Sequence, residues 1–181
     1  KHPINHADVN SIHKYAAESY LSLYYKVYGI KSCSLRLTNV YGPHMRIKDE
    51  RQNFLGIWIK NILQNKPIEI WGSGNQYRDF NYISDCVEAF LLVAKNKKCY
   101  GNVYNIGSTK INHIDLAKLL IKINGSGKII LKQFPKFRKK IDIGDYYSNY
   151  KLFNDSTGWE PKISLRLGLK KTLSYYKKHI Q

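Results

Sequence analysis

The apolar residues of the chain recur with two alternating periods, one typical of helices and one typical of strands. The helical period and its capping residues predict helices over residues 8–28, 52–65, 84–96, 112–124, 150–156 and 164–179. The strand period predicts strands over residues 31–37, 68–71, 77–83, 102–106 and 129–134. Gly29 is the expected stop of the first helix, Ser84 and Asn112 are expected N-caps, and residues 38–43 are an expected loop.

The alternation of helices and strands predicts an α/β layer structure. A dinucleotide-binding unit needs a glycine-rich turn between its first strand and the helix that follows. The Gly72-Ser73-Gly74 turn of this chain lies instead between two predicted strands. We therefore expect residues 1–181 to form a single module that does not hold NAD alone.

The composition narrows the class of protein. The chain has 181 residues, of which 43% are hydrophobic, enough for a sizeable core but without the run of about 18 apolar residues that a membrane span needs. It begins at Lys1 without a charged-then-apolar leader, so we interpret it as a piece of a longer chain. Cys33, Cys86 and Cys99 are an odd number without metal-ligand spacing, which indicates small buried residues in a reducing compartment, the cytoplasm by default.

The net charge of +17 favours an anionic partner, which could be nucleic acid, an anionic membrane surface or a phosphorylated small molecule. The lysines are scattered along the chain, as a general compositional bias would place them. The one tight basic run is Lys136, Arg138, Lys139 and Lys140. A nucleic-acid-binding function therefore rests on charge alone, and a salt series with duplex DNA would separate it from nucleotide binding.

Four sequence blocks carry a resemblance to a known family. The blocks are Asp8-Val-Asn-Ser-Ile-His-Lys14-Tyr-Ala-Ala-Glu18, Arg36-Leu-Thr-Asn39-Val-Tyr-Gly42-Pro43, Trp71-Gly-Ser-Gly-Asn-Gln-Tyr-Arg78-Asp79-Phe80-Asn-Tyr-Ile-Ser-Asp85, and a closing segment with Asp142-Ile143, Asn149-Tyr-Lys151 and Thr157-Gly158-Trp159-Glu-Pro161. In this order, over nearly all of the chain, they resemble the C-terminal half of extended short-chain dehydrogenase/reductases that act as NAD-dependent nucleotide-sugar epimerases or dehydratases.

The resemblance implies a fold, a cofactor and a partner. The fold would be the C-terminal part of a Rossmann-like parallel sheet plus a small mixed α/β substrate-binding lobe, with the N-terminal NAD-binding half absent. The partner would be a nucleotide-diphosphate sugar. In this family the active-site helix also forms half of a four-helix dimer interface, so a homodimer through residues 8–28 is expected. The alternative is that some of its tyrosines pack against the N-terminal half instead.

The family writes its active-site helix as Tyr-x-x-x-Lys, and here the tyrosine position holds Asn10. By resemblance Lys14 holds the nicotinamide ribose and lowers the pKa of the tyrosine; otherwise it is a solvated helix lysine. A carboxamide cannot accept a sugar hydroxyl's proton, although Asn10 could orient substrate or water. Tyr15 and His13 are each rotated about 100° from Lys14 around the helix. Because histidine is a common general base, His13 stays open as a substitute base.

The resemblance also implies four substrate-binding residues. Asn39 would contact the sugar-nucleotide diphosphate, or would otherwise be a turn asparagine. Arg78 would hold the diphosphate with its planar fork, or would otherwise pair with Asp79 or Asp85. Lys139 stands where the family has an arginine three residues before Asp142; it is either a lysine substitute or, in a shifted register, Arg138 one position back takes that role. This basic residue and Asp142 would contact phosphate and ribose.

Three further residues or sets have structural interpretations. Arg36 points outward from its strand as an ion-pair residue. Asp85 suits a helix start, where its charge favours the helix dipole. Trp159, Pro161 and the apolar stripe Leu165, Leu169, Leu173 and Tyr176 indicate packing rather than base stacking.

Two functions remain for the whole protein. The first is sugar-nucleotide epimerisation or dehydration that starts with hydride transfer from C4 to NAD⁺. The second is a catalytically silent nucleotide-sugar-binding protein of the same fold, which Asn10 favours. Because Lys14, Glu18, Asn39 and Arg78 are all present, we prefer the enzyme.

Overall fold

The computed structural model describes residues 8–48, 53–139 and 142–179. The strands are β1 (Ser34–Arg36), β2 (Asn39–Tyr41), β3 (Ile68–Trp71), β4 (Tyr77–Tyr82), β5 (Val103–Asn105), β6 (Thr109–Asn112) and β7 (Ile129–Lys132). The helices are α1 (Val9–Tyr28), α2 (Phe54–Leu63), α3 (Ile83–Lys95), α4 (His113–Asn124), α5 (Lys136–Lys139), α6 (Lys151–Thr157) and α7 (Leu165–His179). A short 3-10 helix, Lys97–Cys99, follows α3.

The strands form three small sheets, and these confirm the α/β class. The first is the parallel pair β1–β5, the second has the order β2-β4-β6, and the third is the parallel pair β3–β7. Strand β4 runs parallel to β2 and antiparallel to β6, which makes the second sheet mixed. The expected combination of parallel sheet and mixed α/β lobe is therefore present.

Local capping chemistry explains where the well-predicted helices begin and end. Asp8 accepts a hydrogen bond from the Ser11 amide at 2.7 Å and starts α1, and Gly29 ends it in the left-handed conformation at φ 65°. Asn112 caps α4 by accepting from the Asp115 amide at 2.8 Å. These caps confirm the predicted positions.

The structure differs from the sequence-based expectation at three places. Residues 38–43 are not a loop throughout, because Asn39–Tyr41 form β2 against β4. Ser84 is not an N-cap: β4 passes directly into α3, whose N-cap residue Tyr82 makes no side-chain capping bond. The third difference is an omission and not a wrong prediction: strand β6 (Thr109–Asn112) ends at the correctly predicted cap Asn112 and was not itself predicted.

Two buried clusters hold the elements together. The larger lies between α2, α4, α7 and the strands β3 and β4, and the smaller lies between α3, β5 and α6. Trp159 is 2% exposed in the smaller cluster, and Leu165, Leu169, Leu173 and Tyr176 are buried in the larger one. These residues therefore pack, as predicted.

Asp85 links the first turn of α3 to the segment before α7. Its buried carboxylate accepts hydrogen bonds from the amides of Lys162 and Ile163 at 3.2 and 3.0 Å. Its backbone carbonyl accepts from the Trp159 indole at 3.0 Å. This confirms a structural rather than a chemical role for Asp85.

Within the described part of the chain, no helix has the length and apolar character that crossing a bilayer requires.

Candidate functional site

The first group of candidate residues follows one face of α1. Asn10, Lys14 and Glu18 are spaced by four residues, so their side chains project on the same side of the helix. The Arg36 guanidinium grips the Glu18 carboxylate with two hydrogen bonds of 2.7 and 2.6 Å. This bidentate ion pair ties α1 to the end of β1 and confirms that Arg36 is an ion-pair residue.

The ion pair determines where the rest of this face lies. Because Glu18 is held at the carboxyl end of β1, Lys14 and Asn10 lie one and two helical turns further toward the start of α1. Both are exposed, and so is His13, which points about 100° away from Lys14. Carboxyl ends of parallel strands are where α/β sheets place ligands. Asn10 and Lys14 are therefore free to meet a ligand bound at that edge.

The second group is centred on Arg78 in β4. Its Nη1 donates to the backbone carbonyls of Tyr77, at 2.9 Å, and of Gly144. Its Nη2 donates to Asp142 Oδ1 at 3.3 Å. The Arg78 side chain is only 12% exposed, yet the Asp142 carboxylate remains 23% exposed. The predicted alternative partners, Asp79 and Asp85, are therefore wrong, because the ion-pair partner is Asp142.

Asp79 holds together the segments around the beginning of β4, a role beyond the ion pair that its sequence position suggested. Its carboxylate is 2% exposed and accepts from the amides of Ser108 and Ser148 at 2.8 and 2.9 Å. Burial raises the pKa of Asp79, while these two hydrogen bonds act in the opposite direction. Asp79 thus fixes the segment that follows Asp142 against the end of β5.

Asn39 reaches the same place from β2. Its side-chain amide donates to the backbone carbonyl of Asp79 at 3.0 Å, although the two residues are 40 positions apart in sequence. The residue directly before the Asp79 carbonyl is Arg78. The structure therefore places Asn39 and the Arg78–Asp142 pair around the first residues of β4, and their role in substrate binding stays a prediction.

Only part of the basic run, residues 136–140, belongs to the described residues. Lys139 is exposed at the end of α5, three residues before Asp142. Lys140 lies outside the described residues, and the side chain of Arg138 is not described. Among the described contacts, none joins Lys139, Asn10 or His13 to Arg78 or Asp142. In the same part of the chain, no group of three or more His, Cys, Asp or Glu side chains is arranged to hold a metal ion.

His113 is a neighbour of Arg78 that the sequence analysis missed. It is the first residue of α4, and its ring packs against Phe54 and Trp58, with centroids 4.7 and 5.7 Å apart. Burial and, to a smaller extent, the Arg78 charge lower the pKa of His113 to about 4, against an opposing effect of the Asp142 carboxylate. The imidazole is therefore neutral at physiological pH.

The lowered pKa of His113 predicts a loss of stability in acid. Between pH 6.5 and about 4 the unfolded chain binds a proton at His113 and the folded chain does not, so stability falls as the pH falls through this window. Above pH 6.5 His113 contributes no such dependence. When the pH is lowered from 7 to 5, the free energy of unfolding of wild type should therefore fall by roughly 2 kcal/mol more than that of the His113→Gln variant. Urea denaturation at both pH values measures this, and an equal shift in the two proteins would contradict it.

Comparison with known proteins gives a consistent result. The sequence model of the NAD dependent epimerase/dehydratase family matches residues 1–107. A putative UDP-glucose 4-epimerase of Methanocaldococcus jannaschii is 34% identical over 97% of this chain and 55% of its own length. The human dTDP-D-glucose 4,6-dehydratase is 31% identical over 92% of this chain and 47% of its own length.

Solved structures share the fold. The UDP-glucose 4-epimerase of Thermotoga maritima, determined with UDP-glucose, superimposes with a TM-score of 0.86 at 33% identity, over 94% of this chain and 54% of that one. Pal from Bacillus thuringiensis superimposes with a TM-score of 0.89 at 29% identity, over 98% of this chain and 55% of that one. The chain thus spans about half the length of the curated relatives and structures that it matches.

Proposed function

Because the chain belongs to the NAD-dependent epimerase/dehydratase family, we propose that it is the substrate-binding half of a nucleotide-sugar epimerase or dehydratase. One observation carries the proposal. Arg78 and Asp142, 64 residues apart, form an ion pair at the beginning of β4, where Asn39 bonds the backbone of the next residue, Asp79. A guanidinium fork beside a carboxylate offers ligands for a diphosphate and for a ribose hydroxyl, respectively.

NAD is the proposed cofactor of the complete protein. Lys14, exposed and held in orientation through the Glu18–Arg36 ion pair one turn away, fits a contact to the hydroxyls of the nicotinamide ribose. The cofactor, when bound, accepts a hydride from the sugar. Gly72 and Gly74 lie between β3 and β4 and not before a helix, so they do not offer the pyrophosphate turn of a dinucleotide-binding unit. We therefore propose that NAD is held mainly by the N-terminal half of the family's fold.

A second function is favoured by a specific observation, the identity of residue 10. Asn10 cannot take up the proton that leaves the sugar hydroxyl during hydride transfer. A protein that binds the nucleotide sugar without turnover would tolerate this residue. His13 is the group on α1 that could replace the tyrosine as a base, but it points away from the face that carries Lys14. Turnover in the complete protein separates the enzyme from the silent binder.

A homodimer in the cytoplasm is also proposed. None of the 20 residues of α1, all of them described, is buried. Tyr20, Tyr24 and Tyr28 follow one another along the helix with ring centroids 6.4 and 5.7 Å apart, and Tyr28 is 69% exposed. An exposed aromatic face of this kind is typical of a surface that a partner covers, which supports the expected pairing through residues 8–28. The three cysteines are free thiols, which suits a reducing compartment.

Replacing Arg78 tests the proposed site directly. The Arg78→Ala variant should lose about 1.5–3 kcal/mol of binding to UDP-glucose, roughly 10- to 150-fold in Kd, because a charge-assisted hydrogen bond to the diphosphate disappears. Calorimetric titration below the melting transition of both proteins measures the loss. The Arg78→Ala variant should also be less stable than wild type, because Tyr77, Gly144 and Asp142 lose their common donor.

A matched control distinguishes a specific contact of Arg78 with the ligand from general attraction by positive surface charge. Lys151→Ala removes one positive charge from an exposed pair with Asp155, which no described contact joins to Arg78, and should leave the Kd for UDP-glucose unchanged. An Arg78 variant that binds UDP-glucose as tightly as wild type would show that Arg78 is purely structural. Equal losses in both variants would indicate nonspecific attraction by the basic surface.

A further inference from the structure

Gln76 and His113 lie side by side at the open end of the β4–β6 ladder. The register pairs Arg78 with Ile111 and Tyr77 with Asn112, so Gln76 and His113 come one residue beyond the last pair. Side chains alternate between the faces of a sheet, which places Gln76 on the same face as Arg78. Both residues are therefore immediate neighbours of the proposed diphosphate-binding arginine.

Each of these two side chains has a buried polar atom without a partner among the described residues. The atoms are Nε2 of His113 and Oε1 of Gln76. An unpaired buried polar atom destabilises a protein, and native structures hold few of them. The surroundings of His113 on its other side are the rings of Phe54 and Trp58, which suit an apolar side chain better. An imidazole at this position is thus unfavourable for stability, so the presence of His113 needs a reason other than folding.

The Asp142 carboxylate is the acceptor to which both Gln76 and His113 could donate a hydrogen bond. It accepts from Arg78 Nη2 at 3.3 Å and from Gln76 Nε2 at 3.5 Å, both long for bonds to a carboxylate. The Arg78 bonds to the carbonyls of Tyr77 and Gly144 use Nη1 and leave Nη2 to Asp142. A diphosphate that approaches Arg78 must therefore compete with Asp142 for the same donor.

We propose that His113 is a positioning residue for the nucleotide site: with Gln76, it takes over the Asp142 carboxylate when the Arg78 Nη2 turns to the diphosphate. The imidazole donates its Nε2–H to Asp142, and Gln76 donates its amide. No proton is transferred. Asp142 then stays in place for a ribose hydroxyl, and the buried imidazole nitrogen gains its partner only in the ligand complex. This inference rests on the proposed function of Arg78. The charges of Arg78 and Asp142 both act on the pKa of His113, which shows that the three groups are within electrostatic reach.

Stability and affinity should move in opposite directions when His113 is replaced. The His113→Met variant keeps the packing against Phe54 and Trp58 and removes the unpaired nitrogen, so its Tm should rise by about 3 °C or more. Its affinity for UDP-glucose should fall about five- to tenfold, because Asp142 loses the donor that takes the place of the Arg78 Nη2. The His113→Gln variant retains a donor and should restore affinity to within about twofold of wild type.

Calorimetric titration of UDP-glucose into the wild-type chain, these two variants and Arg78→Ala decides the matter. If His113→Met is more stable and binds weakly while His113→Gln binds normally, the inference holds. If Arg78→Ala loses binding but His113→Met does not, His113 has no positioning role and the proposed function stands. If the wild type does not bind UDP-glucose, or Arg78→Ala binds equally well, the proposed function and this inference both fail.

Discussion

Replacing Asn10 by tyrosine should raise turnover at least tenfold in a protein that joins this chain to the NAD-binding half of its family. Hydride removal from C4 of the sugar requires that the hydroxyl proton leave at the same stage. A general base contributes about a hundred- to ten-thousandfold to such steps, and Asn10 cannot act as one. Lys14 lies one helical turn away on the same face and would lower the pKa of the new phenol. Steady-state turnover of a nucleotide sugar measures the gain.

Two further variants identify the base in the wild type. In Asn10→Tyr/Lys14→Ala the gain should largely disappear, because the phenol loses the nearby positive charge. His13→Ala should leave wild-type turnover unchanged unless His13 is the base, in which case activity is abolished. If the wild type is already fast and remains fast in all variants, the acid–base group lies outside this segment and the account of Asn10 is wrong.

Removing the Asp79 carboxylate should have the largest effect on stability. Asp79→Ala leaves the amides of Ser108 and Ser148 without their buried acceptor, and each hydrogen bond to a charged group contributes about 1.5–3 kcal/mol. We expect the free energy of unfolding to fall by about 3 kcal/mol or more in urea denaturation. Asp79→Asn keeps one acceptor oxygen and should lie between wild type and alanine.

Asp145 provides the matched control for Asp79. Its exposed carboxylate accepts a single hydrogen bond, from the Tyr77 amide at 2.9 Å, in the same segment of chain. Asp145→Ala should therefore cost only about 1 kcal/mol, because water can replace the lost partner. If the two alanine variants lose similar stability, burial of Asp79 is not what holds residues 142–148 to the sheet.

The parts of the fold that were predicted from sequence depend on local chemistry. The capping carboxylate of Asp8, the left-handed Gly29 and the Asn112 cap all act within a few residues of the element they bound. Strand β2 was missed because its three residues gain their hydrogen bonds from β4, about 40 positions later. Ser84 has the residue type of a cap, but the direct passage from β4 into α3 leaves no position for one.

The candidate site shows the same division. Arg78 and Asp142 were found through the motif resemblance, yet the ion pair between them was missed because only the sequence-local carboxylates Asp79 and Asp85 were considered. One signal for Asp79 was available, namely an acidic residue in a strand that also carries Phe80 and Tyr82. His113 gave no such signal, because its surroundings come from α2 and from the distant Asp142.

Titration of the 181-residue chain with UDP-glucose and, separately, with NAD⁺ tests the central claim most directly. We expect measurable, weak binding of UDP-glucose through Asn39, Arg78 and Asp142. We expect no measurable binding of NAD⁺, because Gly72 and Gly74 lie between two strands and form no dinucleotide turn. Micromolar binding of NAD⁺ to the chain, or the absence of any binding of UDP-glucose, would contradict the assignment as the substrate-binding half.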